Sequence, residues 1–188
     1  HALDDAVSKP NQNETAGEDP EKTMTLESDL ERIALQERRL QFDRFDAQTA
    51  WTLGAKLKSG AEARGGSIAI DIQLHGQPLF FYAMPGTAPT NVDWARRKRN
   101  TVLQFHRSSY AMGLTMQKEK TSLQEKLGLD LRDYATHGGC FPILLAGTGC
   151  VGTITVSGLP QRADHELIVA ALADILSIPP AEVALPPE

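Results

Sequence analysis

The chain has 188 residues, 41% of them apolar, and a formal net charge of −5. That content fits one domain with a substantial core, while the net negative charge argues against a dedicated nucleic-acid binder, which carries a basic excess. No apolar run approaches the roughly 20 residues needed to cross a bilayer, so neither nucleic acid nor membrane is an expected partner.

Residues 1–23 read as a disordered leader, polar and acidic with Pro and Gly and no periodicity. They lack the basic-then-apolar pattern of a secretory signal. His1 is no translational start, and Met24 is read as the native one; the leader is then either an appended extension or a genuine tail. Thr25, with Glu27 and Asp29 behind it, predicts an N-cap and a helix from 26 to about 39. A second helix is predicted from about Asp46 to Ala63, ended by Gly65-Gly66. Ile68, Ile70 and Ile72 alternate with smaller or polar residues, the period of a half-buried strand. His75-Gly76-Gln77-Pro78 is a turn, and Leu79 to Ala83 the returning strand.

After a Pro-Gly loop the chain enters a basic segment. Gly113 is expected to interrupt the next stretch, with a helix from about Thr115 to Leu127. A second hairpin pairs Phe141–Ala146 with Cys150–Val156 about Gly147-Thr148-Gly149. Leu167, Ile168, Ala171, Leu172, Ile175 and Leu176 then form one broad apolar face of a helix. Pro179-Pro180 stops it, and the Pro-rich end is read as a tail or docking segment. The order predicts a single α/β (α+β) domain over residues 24–185, with 186–188 as a tail. Its antiparallel sheet is built from two hairpins with helices packed on it.

Pairing about the second turn would set Cys140 near Val156 and Cys150 near Ala146, too far apart for a disulfide. Two unpaired cysteines fit a reducing compartment, and a cytoplasmic location is expected.

The basic segment is the anomaly of this acidic chain. Between Trp94 and Arg107 stand five Lys or Arg residues and no acid. On a helix, Arg96, Arg97, Lys98 and Arg99 advance by about 100° each and encircle the axis instead of sharing a solvated face. Val92, Ala95, Val102 and Phe105 mark an apolar stripe, with Lys98 and Arg99 within or beside it. A cation held against a core or interface needs a carboxylate, a carbonyl or a bound anion. Carboxylates of a neighbouring subunit and a bound anion are the two expected sources.

Two segments carry a family resemblance. His137-Gly-Gly-Cys-Phe-Pro-Ile143, followed by Gly152-Thr-Ile-Thr-Val-Ser-Gly158 and an amphipathic helix, resembles the shared core of the GlcG/HbpS-like superfamily, the haem-degrading domain family. Trp94-Ala-Arg-Arg-Lys98 with Phe105-His-Arg-Ser-Ser-Tyr110 is similar to its UPF0303 branch. The similarity runs from Met24 to the end of the last helix. It implies a profilin-like sandwich and symmetric homo-oligomers. Some relatives outside this branch bind haem or other small ligands, and eukaryotic members of the branch are linked to tail-anchored protein targeting as interaction partners.

The chemistry read from the residues is that of binding. Covalent haem attachment would need Cys-x-x-Cys-His, which is absent; His75, His106, His137, His165, Met84, Met112 and Met116 remain as axial candidates. No His pair has metal-ligand spacing. Ser108 and Ser109 beside His106 do not face it on a helix and suit a helix end or turn. Asp164, His165 and Glu166 open the last helix, where carboxylates meet its positive end. Gly138-Gly139 permits close backbone approach, and Ser157-Gly158-Leu159-Pro160 leads to amides that suit an anion. The candidate ligand-binding residues are therefore Trp94, Arg97, Lys98, Arg107, Ser108 and Tyr110 from the basic segment, with His137, Gly138, Gly139 and Phe141 from the second. No catalytic or metal-ligating residue is assigned. The expected function is a non-catalytic oligomeric binding protein for haem or an organic anion, with a protein–protein adaptor as the alternative and an enzyme as the third.

Overall fold

A computed structural model describes residues 19–188; the leader expected over 1–23 thus lies outside the described residues up to 18. Helix α1 is Pro20–Arg39, capped by Asp19, whose side chain accepts from the Glu21 amide at 3.1 Å. The helix therefore opens earlier than predicted, Pro20–Thr23 are helical, and Thr25 is an interior residue whose hydroxyl bonds the Glu21 carbonyl. Proline at the first helical position explains the start, since it forgoes an amide that would have no partner there. Helix α2 is Ala47–Ala63, with Asp46 as its N-cap. Strands β1 (Ala69–Leu74) and β2 (Gln77–Ala83) form the first hairpin.

The basic segment divides. Helix α3 is Pro89–Phe105, ended by His106 at a left-handed φ of 56°. Helix α4, Ser109–Glu119, runs straight through Gly113, contrary to the expected break there. A Cβ at that position would overlap the Thr136 carbonyl oxygen, so the glycine admits a close crossing and does not interrupt the helix. The predicted 115–127 helix is the end of α4 plus a separate short α5, Leu123–Leu127. Strands β3 (Cys140–Leu145) and β4 (Gly149–Ser157) make the second hairpin, and helix α6 is Gln161–Ile175.

All strand pairs are antiparallel, in the order β2-β1-β4-β3. The two hairpins are joined through β1 and β4, with Ile70 opposite Val156 and Ile72 opposite Ile154. Leu145 pairs with Gly149, which puts Cys150 across from Leu144, and beyond a register shift between Ile143 and Leu144 Cys140 lies across from Thr155. Cys140 thus lies beside the expected Val156, Cys150 sits two residues from the expected Ala146, and both thiols are free.

Alternation gives the sheet two unlike faces. Ile70, Ile72, Phe141, Ile143, Ile154 and Val156 are fully buried against apolar residues of α2 and α6, such as Leu53, Leu57 and Ile168. The face beneath α3 carries Asp71, Thr153, Thr155 and Cys140, also buried. The Pro-rich end docks on its own chain: Val183 and Leu185 are buried, and the Gln36 side chain donates to the Val183 carbonyl at 2.7 Å. No helix among the described residues is long and apolar enough to cross a membrane.

Candidate functional site

Asn91, Trp94 and Lys98 stand three and four residues apart on α3, so they share one face. That face meets the chain entering β3, where β4 runs out into α6. Between them lies a cleft of about 270 Å³, walled by Asn91, Trp94 and Lys98 on one side and by His137, Gly138 and Gln161 on the other. Trp94 and His137 also line an adjoining cavity of about 210 Å³, whose remaining walls include Leu123, Leu131 and Tyr134.

Lys98, only 2% exposed, closes the floor. Its Nζ donates to the Gly138 carbonyl at 3.1 Å, the Val156 carbonyl at 2.6 Å and Asp164 Oδ2 at 3.2 Å, using all three of its hydrogens. Asp164 also accepts from the Gly158 and Leu159 amides. Burial pulls the Lys98 ammonium down from its usual range, opposed by the Asp164 charge. Burial likewise pushes Asp164 up to about 6, opposed by Lys98 and the Leu159 amide. Gly139 sits beside this pair at φ 122°.

At the rim, His137 meets the Trp94 ring edge-on, with centroids 4.8 Å apart, and the Arg97 guanidinium lies 4.0 Å over the same ring. The His137 pKa is lowered by burial first, then by the charges of Lys98 and Arg97. Its imidazole is therefore neutral at pH 7.

The cations of the basic segment find carboxylates within the chain. Arg96 pairs with Asp93 and Asp133, Arg97 with Asp93, Arg99 with Asp71, and Arg107 with Glu37. Lys98 and Arg99 do lie against the core, as the stripe predicted, though Val92 is exposed.

Of the expected site residues, Trp94, Lys98, His137 and Gly138 line the cleft, Gly139 abuts its floor, and Arg97 flanks it. The others are elsewhere. Arg107 and the Ser108 amide both engage Glu37. Tyr110 packs against Ile33 and Leu114, and Phe141 is a core residue with no exposure. Ser108 is a helix cap, its hydroxyl accepting from the Ala111 amide at 3.2 Å. Ser108→Ala is expected to cost about 1 kcal/mol, read as a lower urea midpoint at unchanged slope.

Asn91, Ser157, Gln161 and Asp164 line the cleft without having been singled out as site residues. The signal for Asn91 was its spacing to Trp94 and Lys98. Asp164 was read as a dipole residue of α6, whereas it is the carboxylate that the buried cation required.

Among the axial candidates, His75 and His106 occupy left-handed turn positions, and Met84, Met112 and Met116 are buried in apolar clusters. His165 is fully buried, its Nε2 2.8 Å from Gln36 Oε1. The Gln36 amide nitrogen donates to Val183, so its oxygen accepts the Nε2 proton and His165 is the neutral Nε2–H tautomer. Burial and the Arg162 charge push its pKa down to about 3 from the ordinary 6.5. The unfolded chain therefore binds a proton below pH 6.5 that the folded chain refuses, and stability falls as pH drops through that window. His165→Gln removes this titration and keeps an amide able to reach Gln36. Its stability relative to wild type is expected to improve by up to about 1.4 kcal/mol per pH unit between pH 6 and 4, measured by urea denaturation at each pH. The raised pKa of Asp164 acts in the opposite sense and is common to both proteins.

Comparison with known proteins decides the family. The profile described as "Haem degrading protein HbpS-like" matches residues 45–173, and a UPF0303 protein of Azotobacter vinelandii is 65% identical over 162 residues, covering 86% of this chain and 98% of its own. The chain belongs to the HbpS-like family. Its UPF0303 relatives also include a protein of Serratia proteamaculans, 55% identical over 82% of this chain and 96% of that protein. The solved structure of the Ybr137w protein superposes with a TM-score of 0.75 at 31% identity, covering 84% of this chain and 93% of that one. A structure described as a PduOC:haem complex, at TM-score 0.58 and 17% identity over 69% of this chain and 93% of that one, shares the HbpS-like fold.

Proposed function

We propose that this protein is a non-catalytic, oligomeric binding protein of the cytoplasm that holds a small organic anion in the cleft between α3 and the amino end of α6. The observation that carries the reading is the convergence of one face of α3, the Gly138 backbone and the start of α6 on a single cleft. Two free thiols, one of them, Cys140, fully buried and with its pKa pushed up to about 12, accord with a reducing compartment.

Haem is the ligand that the family's name suggests. His137 has a neutral imidazole at the rim, but the cleft itself is only about 270 Å³, which favours a smaller ligand. The test is a thermal-shift and calorimetric panel of organic anions, with haem alongside. Saturable stabilisation by an anion, lost in Trp94→Ala, is expected. A Soret shift that needs His137, with no anion binding, would return haem as the ligand.

The adaptor reading draws on a different surface. Trp51 is 64% exposed and lines a groove of about 660 Å³ between α2 and α6. Loss of a recovered partner in Trp51→Ser, with anion binding intact, would favour it.

A further inference from the structure

The floor of the cleft holds a polar group that the fold leaves unused. Ser157 is 5% exposed and lines the cleft, and its hydroxyl has no hydrogen bond among the described residues. Beside it begins α6, whose first helical residue Gln161 also lines the cleft. The preceding Pro160 supplies no side-chain cap, and the first amides of a helix have no intrahelical acceptor. A hydroxyl without a protein partner, beside a helix amino end, can donate to an anion.

The charge it will accept is limited. Lys98 is neutralised by Asp164 and Arg97 by Asp93, so no uncommitted cation among the described lining residues answers a ligand's charge, and the Ser157 hydroxyl and the helix amides must do so alone. A phosphate dianion or a dicarboxylate is disfavoured; a single carboxylate is not.

The remainder of the ligand is defined by the adjoining cavity. It shares Trp94 and His137 with the cleft and continues to Leu123, Leu131 and Tyr134. Its volume of about 210 Å³ exceeds the roughly 150 Å³ that suffices to hold benzene.

Taking the anion-binding reading as given, we infer that the two cavities form one two-lobed site for an amphipathic monocarboxylate. The carboxylate meets Ser157 and the amino end of α6; an apolar tail the size of a phenyl ring passes the Trp94 edge into the second lobe.

Calorimetry with acetate, 3-phenylpropionate, 3-phenylpropan-1-ol and phenyl phosphate tests both halves. 3-Phenylpropionate is expected to bind about tenfold or more tighter than each of the other three. Leu131 is exposed, so Leu131→Ser should fold; it is expected to remove most of the tail's advantage and leave acetate binding unchanged. Ser157→Ala is expected to weaken both carboxylates about tenfold. Equal affinity for acetate and 3-phenylpropionate would overturn the two-lobed site while leaving the anion cleft standing. Phenyl phosphate binding as tightly as the carboxylate would overturn the single-charge assignment. An absence of binding by both carboxylates would overturn the inference, while the functional reading falls only if the wider anion panel also fails.

Discussion

Replacing Lys98 with methionine is expected to cost about 3–5 kcal/mol of folding stability, because it leaves Asp164 buried without its counter-charge. At this chain length that is a fall in Tm on the order of 10 °C. Asp164→Asn should be damaging for the converse reason, leaving an ammonium 2% exposed with only two carbonyls. The double variant Lys98→Met/Asp164→Asn is expected to be less impaired than the sum of the two, since no uncompensated charge remains and the asparagine oxygen can still accept from the Gly158 and Leu159 amides. A coupling of about 2 kcal/mol in a denaturation cycle is the expected reading. Additive losses would show that the two residues do not act as a pair.

Gly139→Ala is the second large effect. The residue has φ 122°, a region that side chains other than glycine rarely enter, and its Cβ would overlap Lys98 Nζ and stand 2.6 Å from the Val156 carbonyl and 3.0 Å from Asp164 Cβ. Backbone strain of about 1–3 kcal/mol is thus compounded by displacement of the ion pair. A loss of about 3 kcal/mol or more is expected in urea denaturation. If Lys98→Met relieves part of it, the overlap with Nζ is its source; an unchanged loss would assign it to the backbone alone.

These two positions show how far the sequence could be read. The hairpins, α2 and α6 were legible because periodicity and punctuation are local properties. Lys98 was legible as a misplaced cation because its neighbours on the helix set its direction. Its carboxylate was not: Asp164 lies 66 residues away, and at the opening of a helix it satisfies a simpler reading. Gly113 misled for a related reason. A glycine that breaks a helix and one that lets another chain segment cross it are identical in sequence, and only the Thr136 carbonyl distinguishes them. The cysteine register slipped because the turn occupies residues 146–148, one earlier than the glycines suggested. Tyr110 and Phe141 were assigned to the site on the strength of the motifs they sit in, whereas burial shows that they support the core.

The two unlike faces of the sheet give the molecule a grain. On one side, α2 and α6 adhere through interlocking aliphatic side chains, and detaching either exposes a continuous apolar surface. On the other, α3 is fastened at a few discrete points, chiefly the Lys98–Asp164 and Arg99–Asp71 pairs and the Thr101 hydroxyl on the Ala135 carbonyl. Such fastenings release together once the first is broken, so α3 should lift as a unit before the remainder unfolds. In native-state hydrogen exchange, the amides of α3 should open through a shared sub-global event while those of α6 await global unfolding. A wall of the cleft would then also be its door.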